Sequence, residues 1–228
     1  MKHSCTESAI STTLLTSLAK VGWACHSTQN SEADAVSDEI GRIGDLLGSR
    51  AFGRAGALEE IIRPQTTDYA HPRSLSARYG LNELPFHAEH SHRPRPCRYI
   101  LLGCINPGTP STDSRLIDWR SLSFSAHELL LLESAPILVR TGRRSFYSTI
   151  LSQDRTFLRY DPGCLEAVNE RGRDALQLVE DRLTSSYPYI HEWRQGDILI
   201  IDNWRVLHGR GSCVQNSRRR LVRILINE

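Results

Sequence analysis

Apolar positions in the first fifty residues recur at helical spacing. Ile10, Leu14, Leu18 and Val21 fall on one face and Gly22 stops the run, with Ser4 and Glu7 placed as a capping box at its start. A short strand over 21–26 is expected next. Val36, Ile40, Ile43 and Leu47 then mark a second helix that ends before Gly48. Residues 49–82 carry no strong period, and the tract from Arg63 to Asp68 reads as loop. From residue 83 the pattern shifts to short apolar or alternating runs at 84–89, 97–105, 137–141, 146–151, 155–160, 190–193, 197–201, 206–209 and 220–226. Turn pairs such as Pro107-Gly108, Thr141-Gly142 and Pro162-Gly163 punctuate them. One helix interrupts the series, with Leu165, Val168, Leu176, Val179 and Leu183 as its apolar positions.

Many short strands with few helices predict a mainly β fold with flanking helices, either a sandwich or a barrel. A double-stranded β-helix (jelly roll) is the expected form, because it brings strands far apart in sequence side by side around a small pocket. We expect one domain over 1–228, with an N-terminal helical flank at 1–60 and a jelly-roll core at 83–228. At 228 residues, 39% apolar and 24% charged, the chain has an ordinary globular composition. A net charge of +2 makes no global case for nucleic acid, and the clusters Arg143-Arg144 and Arg218-Arg219-Arg220 lack interleaved aromatic residues. No apolar run is long enough to span a bilayer. Six scattered cysteines with no Cys-x-x-Cys read as free thiols in a reducing compartment, so a cytoplasmic location is expected.

The chemistry concentrates in two stretches. Leu84-Pro85-Phe86-His87-Ala88-Glu89 places an imidazole and a carboxylate two positions apart, so on a strand both face the same way. About a hundred and twenty residues later, Asp202-Asn203-Trp204-Arg205-Val206-Leu207-His208-Gly209-Arg210 supplies a second imidazole. Two imidazoles and one carboxylate form a facial triad suited to non-haem Fe(II), with coordination positions left open for co-substrate and O2. Each histidine read alone is an ordinary surface or core residue. His87, His90, His92 and Cys97 could imitate a zinc site, but their spacing matches no tetrahedral structural pattern.

In combination, these motifs resemble the taurine dioxygenase/clavaminate synthase-like Fe(II)/2-oxoglutarate-dependent oxygenases. The resemblance rests on His87-x-Glu89, on Asp202-Asn203-x-Arg205-x-x-His208-Gly209-Arg210, and on Arg219-x3-Arg223 after it; it covers 83–228 and not 1–60. It implies that His87, Glu89 and His208 are the iron ligands. A small residue in place of Glu89 would have suggested a halogenase. Arg219 and Arg223 lie eleven and fifteen residues after His208. The resemblance implies that one of them holds the distal carboxylate of 2-oxoglutarate, a task that suits the planar guanidinium fork. We assign Arg219 to 2-oxoglutarate and Arg223 to an anionic group on the substrate, an assignment that could be exchanged. Thr112 stands where the family places a hydroxyl on the co-substrate, with Ser111 as its competitor. The implied activity is a dioxygenase reaction that consumes 2-oxoglutarate and O2 and releases succinate and CO2. It would hydroxylate, desaturate or cyclise an unactivated C–H of a small amino-acid-like or secondary-metabolite substrate.

Two rivals remain: a non-catalytic jelly roll, and a cupin-type metal enzyme without 2-oxoglutarate. Neither needs the arginine clamp. A small-molecule substrate is expected, without a nucleic-acid or membrane partner, and the oligomeric state is open. A lid over the site is expected from 64–82 or 107–125.

Overall fold

Alternation of apolar side chains along the strands decides which face of each sheet meets which layer. In the computed structural model, which describes residues 2–53, 56–141 and 144–228, with side chains from residue 12 onward, the first elements are α1 (Lys2–Val21), β1 (Trp23–Ser27), α2 (Ala33–Leu47), β2 (Ser49–Ala51) and β3 (Glu59–Ile62). A short α3 (Leu75–Tyr79) precedes β4 (Leu84–His87), β5 (Tyr99–Asn106) and β6 (Ser114–Asp118). An insertion follows: α4 (Ala126–Ser134), β7 (Ile137–Val139), β8 (Phe146–Ser148), β9 (Leu165–Ala167) and α5 (Glu170–Thr184). The chain closes with β10 (Tyr189–His191), β11 (Asp197–Asp202), β12 (Val206–Arg210) and β13 (Arg220–Asn227).

Two sheets make the jelly roll. The larger has the order β1-β11-β5-β13-β2, with β3 also paired to β13; the smaller runs β10-β6-β12-β4. Odd and even positions divide cleanly. Leu101, Ile105, Ile198, Ile200, Val222, Ile224 and Ile226 turn outward and bury under α1 and α2. Ile100, Leu102, Cys104, Leu199, Ile201, Leu221 and Leu225 turn inward and meet Leu116 and Val206 of the smaller sheet. Gly103 lets α2 lie flat on this sheet, since a Cβ there would come within 2.7 Å of Val36 Cγ1. Outward residues of the smaller sheet, Ile117 and Leu207, pack against the insertion through Leu132, Ile137, Val179 and their neighbours.

Several expectations change. The flank at 1–60 is not only helical: β1, β2 and β3 join the larger sheet, pairing with β11 and β13. Helix α1 starts at Lys2, ahead of the expected capping box; the side chains of Ser4 and Glu7 lie outside the described residues, as does Arg143. Residues 155–160 do not form a strand. Arg155 has φ 56°, and only a lone bridge joins Leu151 to Leu158. Leu165 belongs to β9, and α5 begins at Glu170, capped by Asn169. The span 107–125 is no lid, because β6 lies within it between β10 and β12.

Candidate metal centre

His87 is the last residue of β4 and lies directly opposite His208 of β12 in the ladder. Their rings are 4.2 Å apart at the centroids, and the register then shifts before the Arg210–Leu84 pair. Glu89 follows just past the strand. The ligand atoms of His87, Glu89 and His208 lie within 4.8 Å of one another, and they are the one such cluster among the described residues. His90 and His92 meet edge to face 5.5 Å apart but do not join it.

Each ligand has a partner that fixes its state. The Pro85 carbonyl oxygen, 3.0 Å from His87 Nδ1, can only accept a hydrogen bond, so Nδ1 carries a proton and Nε2 is the nitrogen left to face a metal. Burial, with His87 nearby, keeps His208 well below the ordinary imidazole pKa, in the neutral form a metal requires. Its buried Nδ1 has no hydrogen-bond partner. Burial would raise the Glu89 pKa, but the charge of the adjoining Arg223 guanidinium opposes it, and the carboxyl is held far below its usual range. This set of two imidazoles and one ionised carboxylate, with an unsatisfied imidazole nitrogen on His208, fits a divalent iron ion.

The loop carrying Glu89 is clamped from two sides. Asn203 Oδ1 accepts from Glu89 N at 2.7 Å, while Asn203 Nδ2 donates to the carbonyls of Glu89 at 3.0 Å and Cys97 at 2.8 Å. Arg159, fully buried, donates to the carbonyls of Ser91, Arg93 (2.6 Å) and Pro94 (2.7 Å). Asn203 lies on the turn that leads into the strand of His208, so it ties the two ends of the ligand set together. The sequence carried no signal for Arg159, because its role depends on a long-range contact with a loop.

The two arginines of the Arg219-x3-Arg223 motif differ. Arg223 Nη1 donates to Glu89 Oε2 at 2.6 Å and Nη2 to Glu60 Oε2 at 2.5 Å. The two carboxylates together raise its pKa despite burial. Arg223 therefore meets Glu89 and Glu60, rather than presenting a free fork to a substrate anion. Glu60, in the stretch without a clear period, was not singled out from sequence. Arg219 is 4% exposed with an unpartnered Nε, and no carboxylate pairs with it among the described residues. Burial lowers its pKa. Thr112 is buried and donates to the Ser212 carbonyl at 3.3 Å, outside the residues that line the cavity. Ser111 Oγ reaches the Trp193 carbonyl instead. Ser114 does line the cavity, and its Oγ accepts from Trp193 Nε1 at 3.0 Å.

That cavity, of about 120 Å³, is bounded by His87, Glu89, His208, Ser114, Arg219 and Arg223. It opens on a wider chamber of about 510 Å³ lined by Glu59, Glu60, Gln65, His71, His90, His92 and Asp161 among others. The 64–82 segment thus supplies walls to the chamber, through Gln65, His71 and Ser74 to Ser76.

A His-x-Glu pair joined by a distant His inside a jelly roll is the arrangement of the 2-His-1-carboxylate oxygenase class. The chain belongs to the taurine catabolism dioxygenase TauD/TfdA family, whose pattern matches residues 109–225, just over half of it. That match takes in His208, Arg219 and Arg223, and starts after His87 and Glu89. Among solved structures, asparagine oxygenase with Fe(II), 2S,3S-3-hydroxyasparagine and succinate superimposes with a TM-score of 0.80 at 18% identity, covering 96% of this chain and 79% of that one. The non-haem iron oxygenase OrfP with Fe and alpha-ketoglutaric acid gives 0.75 at 19% identity, covering 96% and 80%. Over 50 residues, 22% of this chain, it is 42% identical to 3-((Z)-2-isocyanoethenyl)-1H-indole synthase of Fischerella ambigua (strain UTEX 1903). That match spans 18% of the relative's length. These likenesses establish the jelly-roll fold. Among the described residues no helix is long and apolar enough to cross a membrane.

Proposed function

We propose that the protein is an Fe(II)- and 2-oxoglutarate-dependent dioxygenase acting on an unactivated C–H bond of a small amino-acid-like or secondary-metabolite substrate. The observation that carries the reading is Arg219, a buried guanidinium without an acidic partner, lining the same cavity as the three metal ligands. A buried, unpaired cation is costly, and a dicarboxylate co-substrate supplies the missing partner. In this reading His87, Glu89 and His208 hold the iron. Arg219 receives the distal carboxylate of 2-oxoglutarate, and the Ser114 hydroxyl takes over the part first assigned to Thr112. Bound iron supplies the oxidising chemistry with O2: one oxygen atom enters the substrate as a hydroxyl, the other enters succinate, and CO2 leaves. Arg223 and Glu60 keep Glu89 ionised and aimed inward. The substrate occupies the larger chamber beside His90, His92 and Asp161.

Family membership supports this reading, and so do the solved neighbours: asparagine oxygenase holds 2S,3S-3-hydroxyasparagine with succinate, and OrfP holds (3S)-hydroxy-L-Arg with succinate. The test is anaerobic titration of the apo-protein with Fe(II) and then 2-oxoglutarate. A visible charge-transfer band that needs both additions and disappears in His87→Ala is the expected result. A folded, iron-loaded protein with no band would remove 2-oxoglutarate from the chemistry and favour a cupin-type or binding role.

A further inference from the structure

The small cavity has two outlets of opposite electrical character. On one side it shares Ile62, Arg63, Ser76, Leu84, His87, Glu89 and Arg223 with the large chamber, whose outer lining adds Glu59, Glu60 and Asp161. On the other it shares Arg63, Pro64 and Arg219 with a groove of about 800 Å³ that runs along the turn before β13. The groove is lined by Arg63, Arg218, Arg219 and Arg220 against a single acidic residue, Asp68. The chamber presents Glu59, Glu60, Glu89 and Asp161 against Arg63 and Arg223.

A local backbone feature builds the groove. Three consecutive arginines on a regular strand would send their side chains to alternate faces. Here Arg218 has φ 61° and Asn216 φ 63°, so alternation is interrupted just before β13 begins, and Arg218, Arg219 and Arg220 all border the same groove. Arg63, Arg218 and Arg220 form no ion pair with any described residue. Their charge is therefore directed into the groove rather than neutralised.

We propose that this arginine groove is the entrance for 2-oxoglutarate and the exit for succinate, separate from the chamber that admits the substrate. The inference rests on the oxygenase reading above. A dianion approaching the chamber meets a surplus of carboxylates, whereas a cleft lined by one sign of charge focuses the field and raises the encounter rate for the opposite sign. The same ion arriving by the groove is passed from exposed Arg218 and half-buried Arg220 to buried Arg219, which lines both spaces.

The experiment is anaerobic stopped-flow mixing of the Fe(II)-loaded protein with 2-oxoglutarate, following the charge-transfer band at several salt concentrations. In Arg218→Gln/Arg220→Gln the association rate constant should fall about three- to ten-fold at low salt, with a flatter salt dependence, while the dissociation rate constant changes less than about twofold. Arg218→Gln alone, at a fully surface position, should show a smaller fall in the same direction and serves if the double variant does not fold. Glu59→Gln, at the chamber mouth, should leave association within about twofold of wild type. Unchanged association in the arginine variants overturns the proposal, as does a Glu59→Gln acceleration larger than the arginine effect. A wild-type protein that gives no band overturns the oxygenase reading, and the entrance with it.

Discussion

Arg219 and Arg223 are four residues apart and both line the metal cavity, the first buried and the second half-buried, yet their surroundings could hardly differ more. Arg223 is locked between Glu89 and Glu60; Arg219 touches no carboxylate and its Nε has no partner. One guanidinium completes the resting structure, while the other is held for something that arrives. Position in a motif therefore does not reveal which arginine is free, since that depends on what the opposing strands bring. β3 lies beside β13 with Glu60 level with Arg223, and no acidic residue occupies the matching place near Arg219.

The strongest way to break this contrast is Arg223→Met. It leaves two carboxylates facing each other without their cation, and the apo-protein should lose about 3–5 kcal/mol, a fall in Tm on the order of 10 °C. Thermal unfolding without metal measures it directly. Next comes Asn203→Ala, which strips three hydrogen bonds from the Glu89 and Cys97 backbone and should cost about 2–3 kcal/mol. Fe(II) affinity, by calorimetry, should weaken in parallel; a stable variant with unchanged affinity would mean that Glu89 is positioned without the clamp. Glu60→Gln keeps a hydrogen-bond acceptor but removes one charge from Arg223, with an expected loss of about 1–2 kcal/mol. Arg219→Met should have the smallest effect on stability, between no change and a gain of about 1 kcal/mol, because a buried cation without a partner is being replaced by an apolar chain. The same variant should fail to bind 2-oxoglutarate while still taking up Fe(II). If Arg219→Met destabilises the apo-protein as much as Arg223→Met, the distinction between the two arginines is gone.

What could be read from the sequence followed physical locality. Strands β5, β11, β12 and β13 are apolar enough on their inward and outward faces to stand out, and His87, Glu89 and His208 converge as the motifs implied. β6 was missed because Ser114–Asp118 has only two apolar residues, Leu116 and Ile117, and its strand character comes from pairing with β10 and β12. α4 was missed because Leu129–Leu132 is an unbroken apolar run with no helical period, although its Ser125/Glu128 capping box was a usable signal. Glu60, Arg159 and Ser114 owe their places at the site to contacts with residues far away in the chain, which no local pattern encodes.

The Asn203 clamp changes what counts as the smallest portable piece of this site. Asn203 sits five residues ahead of His208 and grips the backbone of Glu89, so any shift of that turn drags the carboxylate as well as the imidazole. Grafting the three ligands alone onto another jelly roll would transplant atoms without their alignment. The transferable cassette is the 84–97 segment together with 197–210, joined by Asn203, with Arg159 bracing the 91–94 loop.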